Sequence, residues 1–142
     1  HCCMEANAIL IVDDDQDDLD LIQQVAEHLE LGRPMHFFRS GHQLADYLQT
    51  SALPPFLIIC DVNLPEENGF EIKKRISENP ELKYKSVPFV YWSTDASEKQ
   101  IQHAYDLPAQ GFFFKPSNFK DLCDTFQTIL NYWQKSKHPK PL

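Results

Sequence analysis

Short, dense apolar runs alternate along the chain with longer stretches in which apolar residues recur every three or four positions. Ala8-Ile9-Leu10-Ile11-Val12 is continuous and largely β-branched. A strand apolar on both faces belongs to a parallel sheet with helices on either side. Phe56-Leu57-Ile58-Ile59-Cys60, Phe89-Val90-Tyr91-Trp92 and Phe112-Phe113-Phe114 read the same way, and Met35-His36-Phe37-Phe38 is a weaker run of the same kind. Between them, Leu19, Ile22, Val25, Ala26 and Leu29 have helical spacing, and this helix is expected to stop near Gly32. Leu44, Ala45 and Leu48 mark a shorter helix, and Phe70, Ile72 and Ile76 one that ends before Pro80. Ile101, Ala104 and Tyr105 give a fourth helix, and the stretch from Phe119 to Trp133 a long fifth. Five strand-helix units in order predict an α/β fold, a doubly wound five-stranded parallel sheet with right-handed crossovers in a three-layer sandwich.

With 142 residues, 42% of them hydrophobic and 24% charged, the chain has the size and mix of one domain that folds without disulfides or a structural metal. The domain is expected over residues 4–137. His1, Cys2 and Cys3 precede Met4, a plausible start, and read as additions ahead of the native chain; the tail 138–142 is expected to be disordered. Thirteen basic against 21 acidic residues give a charge of −8, the wrong sign for direct nucleic-acid binding. No apolar run is long enough to span a bilayer and no signal-peptide pattern is present, so a cytoplasmic location without membrane contact is expected. Cys60 and Cys123 stand singly in apolar surroundings, as buried thiols do in a reducing compartment.

In an open parallel sheet, ligands bind beyond the carboxyl ends of the strands, so the polar residues that follow each run carry the chemistry. These are Asp13, Asp14 and Asp15 after the first run, Asp61 after the third, Ser93 and Thr94 after the fourth, and Lys115 before Pro116 after the fifth. Carboxylates gathered on one edge repel one another unless a cation shares the site, and an all-oxygen donor set selects a hard ion such as Mg²⁺. An ammonium and a hydroxyl beside them suit a phosphoryl group. Asp15 is assigned to capping the first helix, and Asp17, Asp18 and Asp20 to its solvated face. The scattered histidines, including His28 and His36, are read as surface or structural residues.

Taken together, Ile9-Leu10-Ile11-Val12-Asp13-Asp14-Asp15, Asp61-Val62-Asn63-Leu64-Pro65, Ser93 and Lys115-Pro116 resemble the receiver domain of two-component response regulators over nearly the whole chain. Ala104-Tyr105-Asp106-Leu107 and Asn131-Tyr132-Trp133 carry a narrower resemblance to the stand-alone phytochrome-associated response regulators. The resemblance implies a flavodoxin-like (βα)5 fold and a phosphoacceptor role for Asp61, supplied by a sensor histidine kinase or phosphotransfer protein. It implies Mg²⁺ held by Asp13, Asp14, Asp61 and the Asn63 carbonyl, with Ser93 and Lys115 on the phosphoryl group. Such a protein assists its own phosphorylation and dephosphorylation rather than acting as an enzyme on other substrates. Phe112 takes the place of the family's aromatic switch, with permanent core as the alternative, and a homodimer is implied through the fourth helix, fifth strand and fifth helix.

Two departures from the family pattern are Pro108 where relatives carry glycine, which bears on the signalling face, and Ser93 in place of threonine. Competing readings are a haloacid-dehalogenase-type phosphatase, from Asp13-x-Asp15, and a degenerate receiver that binds partners without phosphorylation. A calcium loop over Asp13-x-Asp15-x-Asp17 fails, because its sixth position is Asp18 and its twelfth Gln24.

Overall fold

The fold was determined as a computed structural model and describes residues 7–106 and 109–139. Strands β1 (Ile9–Val12), β2 (Met35–Phe38), β3 (Leu57–Asp61), β4 (Phe89–Ser93) and β5 (Gly111–Phe114) alternate with helices α1 (Gln16–His28), α2 (Gly41–Thr50), α3 (Gly69–Ser77), α4 (Glu98–Asp106) and α5 (Phe119–Lys135). All neighbouring strands pair in parallel in the order β2-β1-β3-β4-β5, the doubly wound sheet expected from the apolar runs. Every residue of β1, β3 and β4 is buried, whereas the edge strands β2 and β5 are only partly covered. Side chains alternate across the sheet. Leu10, Val12, Ile58, Cys60 and Tyr91 meet Leu44, Leu48, Ile72, Ile76 and Ala104 on one face. Ile9, Ile11, Leu57, Ile59, Val90 and Trp92 meet Leu19, Ile22, Val25, Phe126 and Ile129 on the other. Cys60 and Cys123 are free and buried.

Local capping places the helix starts. Asp15 accepts from the Asp17 and Asp18 amides, as expected, and Asn68 and Glu71 form a reciprocal capping box at α3. The end of α1 departs from the expectation at Gly32. The amide of Glu30 donates to Glu27 O and that of Leu31 to Ala26 O, a Schellman closure, and the left-handed position is taken by Glu30 at φ 52°. The chain therefore turns two residues before its glycine, because the apolar stripe of α1 ends at Leu29.

His138 donates through Nε2 to Phe56 O at 2.8 Å and packs its ring on Phe56 and Trp133. Residues 1–6, 107–108 and 140–142, among them Pro108, lie outside the described residues.

Candidate functional site

Strand register brings the sequence-selected residues to one edge. Val12 pairs with Cys60, so Asp13 lies beside Asp61 at the carboxyl ends of β1 and β3. Asp61 pairs with Trp92 and Ser93 with Phe114, which sets Ser93 and Lys115 on the adjoining strand ends. The Lys115 amide donates to Ser93 O at 2.8 Å and extends the ladder by one residue, fixing the root of the lysine. Gly69 is required here, because a Cβ would lie 2.7 Å from Asp61 O; its absence lets the first turn of α3 rest on the end of β3.

The Lys115 ammonium is the centre of the site. It donates to Asp13 Oδ2 at 2.7 Å, to Asp61 Oδ2 at 2.9 Å and to Asp18 Oδ2 at 2.9 Å. Its side chain is 9% exposed, that of Asp61 11%, and Asp13 is fully buried. Burial opposes the charge on Lys115, but the three carboxylates outweigh it and hold the ammonium above the ordinary lysine range. Burial pushes the Asp13 carboxyl up from its ordinary value, while the hydrogen bonds from Lys115 and the Asp15 amide pull against it. Asp61 Oδ1 accepts from the Asn63 amide at 2.9 Å, leaving this carboxylate tied at both oxygens.

Asp18 is the correction to the sequence reading. It was placed on the solvated face with Asp17 and Asp20; those two are exposed, but Asp18 is only partly so, and its carboxylate joins Asp13 and Asp61 in a triple whose ligand atoms lie within 4.8 Å of one another. Among the described residues this triple does not include Asp14, whose backbone carbonyl instead accepts from Arg39 at 2.8 Å. Asp15, the second carboxylate that a dehalogenase-type phosphatase needs, is spent on capping α1. Ser93 is buried; its hydroxyl donates to Asp95 O at 2.6 Å and accepts from the Asn63 side-chain amide at 2.9 Å. The sequence reading gave Asn63 a role only through its carbonyl. Phe112 is half-buried, packed near Tyr91 with ring centroids 6.3 Å apart.

The donor chemistry fits a hard divalent cation. Three carboxylates against one ammonium leave two negative charges in excess, and all the free donors are oxygen.

The family model of the response regulator receiver domain matches residues 9–127. The chain belongs to the response regulator receiver family. Response regulator Rcp1 of Synechocystis is 31% identical over 130 residues, covering 88% of this chain and 87% of that protein. The probable methanogenesis regulatory protein FilR2 of Methanothrix harundinacea is 28% identical over 88% of this chain and 82% of its own. Among solved structures, the phosphorylated cyanobacterial phytochrome response regulator RcpA superposes with a TM-score of 0.82 at 29% identity, covering 94% of this chain and 99% of that one. The Mn²⁺-bound form of Rcp1 gives 0.79 at 29% identity, over 95% and 100%. The chain is thus a receiver of two-component signalling, of the flavodoxin-like fold, and the family's Mg²⁺ belongs at the acidic pocket described above. No helix among the described residues is long and apolar enough to cross a membrane.

Proposed function

We propose that this receiver takes a phosphoryl group onto Asp61 from a phosphohistidine of a sensor kinase or phosphotransfer protein, and signals by a changed protein-binding surface. The observation that carries it is the Lys115 ammonium held 2.7 and 2.9 Å from Asp13 and Asp61 at the carboxyl edge of the sheet. An Asp61 oxygen attacks phosphorus, the N–P bond breaks, and the imidazole leaves with its electron pair and takes up a proton. Asp13, Asp14, Asp61 and the Asn63 carbonyl would hold Mg²⁺, which supplies positive charge to carboxylate and phosphoryl oxygens alike. Lys115 supplies a second cation. Ser93 supplies a hydroxyl, for which its bond to Asp95 O must be exchanged for one to the phosphoryl group. The same groups would promote the reverse loss of phosphate to water, so the domain assists its own phosphorylation and dephosphorylation. We place it in the cytoplasm, where the phosphodonor kinases act.

Incubation with acetyl phosphate and Mg²⁺ is expected to add one base-labile phosphoryl group to the wild type and none to Asp61→Asn, read by intact mass. Full labelling of the variant would move the acceptor elsewhere. An unlabelled wild type would favour a receiver that binds its partners without phosphorylation.

The output face is assigned to α4, β5 and α5. Tyr105 and Tyr132 are each 62% exposed there and flank a groove lined by Gln110, Phe112, Ile129 and Trp133. Aromatic anchors of this kind dominate protein interfaces. Phe112, lying in the same groove and against Tyr91, is the residue whose rotation would alter the face. Sedimentation with beryllofluoride is expected to show self-association that Tyr105→Ala weakens. If neither the phosphoryl mimic nor the substitution changes sedimentation, this face does not mediate a homodimer.

A further inference from the structure

Lys115 has three ammonium protons, and three carboxylates take them: Asp13, Asp61 and Asp18. Two of these acceptors sit at strand ends. The third comes from α1, one turn before Ile22 on the stripe that faces the core. Asp18 is 35% exposed at its side chain, against 0% for Asp13 and 11% for Asp61, so it is the partner nearest solvent. It lines a cavity of about 200 Å³ with Leu21, Ile22, Trp92, Lys115 and Leu122, which leaves the lysine tip room to move. Lys115 Nζ also lies 5.4 Å from the centre of the Trp92 ring, on the wall of that cavity.

When a phosphoryl group arrives on Asp61, Lys115 must redirect a donor to it, because each of its protons is already committed. Asp61 is an acyl phosphate at that stage and its carboxyl carries no charge, whereas releasing the fully buried Asp13 would leave its carboxylate dependent on the metal alone, at a desolvation cost. Releasing Asp18 exposes a carboxylate that water can solvate at once. We propose that Asp18 is a positioning residue that holds Lys115 in the unphosphorylated site and is the partner exchanged for the phosphoryl group, so that it favours the metal-loaded resting state and disfavours the anion-loaded state.

The inference rests on the receiver reading, and it makes a two-signed prediction. The Asp18 carboxylate adds a negative charge beside the divalent ion, so its removal weakens Mg²⁺ binding. The same charge repels an incoming anion and competes for Lys115, so its removal tightens anion binding once Mg²⁺ is saturating.

The test is tryptophan fluorescence in a Trp133→Phe background, which leaves Trp92 as the reporter against Lys115. Mg²⁺ is titrated alone, and then beryllofluoride at saturating Mg²⁺. Asp18→Asn is expected to weaken Mg²⁺ binding about three- to tenfold and to tighten beryllofluoride about three- to tenfold. Asp18→Glu keeps the charge and is expected to restore both constants to near the wild-type values. A substitution that merely loosened the fold would weaken both ligands, and that result overturns the proposal, as does a variant indistinguishable from wild type in both titrations. A wild type that binds Mg²⁺ but gives no saturable beryllofluoride response would overturn the receiver reading itself, and this inference with it.

Discussion

Lys115→Met is expected to destabilise the metal-free protein by about 3 kcal/mol at neutral pH, the scale of breaking a buried ion pair by removing one partner. Methionine matches the length of the lysine stem, so the loss is of charge and donors rather than of packing. What remains is Asp13 with no exposure and Asp61 nearly buried, their ligand oxygens within 4.8 Å of each other and of Asp18, with no cation among them. The defect is electrostatic, so a cation should repair it. Denaturant titration in EDTA is expected to show the full loss, and the same titration in Mg²⁺ a much smaller one. The variant is therefore expected to gain more stability from Mg²⁺ than the wild type does. Equal stability of variant and wild type in EDTA would show that water, not Lys115, balances these carboxylates.

The apolar runs were sufficient to read the sheet, because β1, β3 and β4 are buried on both faces and nothing but a parallel arrangement covers them so. Asp13, Asp61, Ser93 and Lys115 are legible from the apolar runs, each standing at the end of one, so the ends of the strands had to bring them together. Asp18 was missed because the acidic first turn of α1 was read as one solvated patch. Helical arithmetic held the signal, since residue 18 lies four before Ile22 and seven before Val25, both buried. The side-chain amide of Asn63 on Ser93 left no trace in spacing at all; it depends on a loop conformation set by Gly69 and by the left-handed Glu66 at φ 64°. The turn after α1 falls short of Gly32 because Glu30, directly after Leu29, the last apolar residue of the helical stripe, takes the left-handed position.

Lys73 went unremarked for a similar cause, and it supplies the second large effect. It stands on the inner face of α3, four residues after Gly69 and three before Ile76, and is 1% exposed. Among the described residues, its ammonium donates to the Ser86 carbonyl at 3.4 Å and lies 5.0 Å from the centre of the Phe89 ring. Burial pushes its pKa down from 10.5 to about 8. The unfolded chain therefore binds the proton more tightly than the folded one. Between about 8 and 10.5 the unfolded state carries more protons, so stability rises with pH across that window, and the cost of the buried charge is present in full below it. Lys73→Met, which fills the same space without a charge, is expected to stabilise the protein at neutral pH by about 1–3 kcal/mol, the upper figure being the shift converted at 1.36 kcal/mol per unit and the lower allowing for the lost Ser86 contact. The gap between variant and wild type should then close as the pH climbs through the window, because the wild-type lysine becomes neutral in its pocket. Urea denaturation of both proteins across that range measures it. A gap that stays constant with pH would mean that water or the Ser86 carbonyl already solvates the ammonium, and that its charge costs this fold nothing.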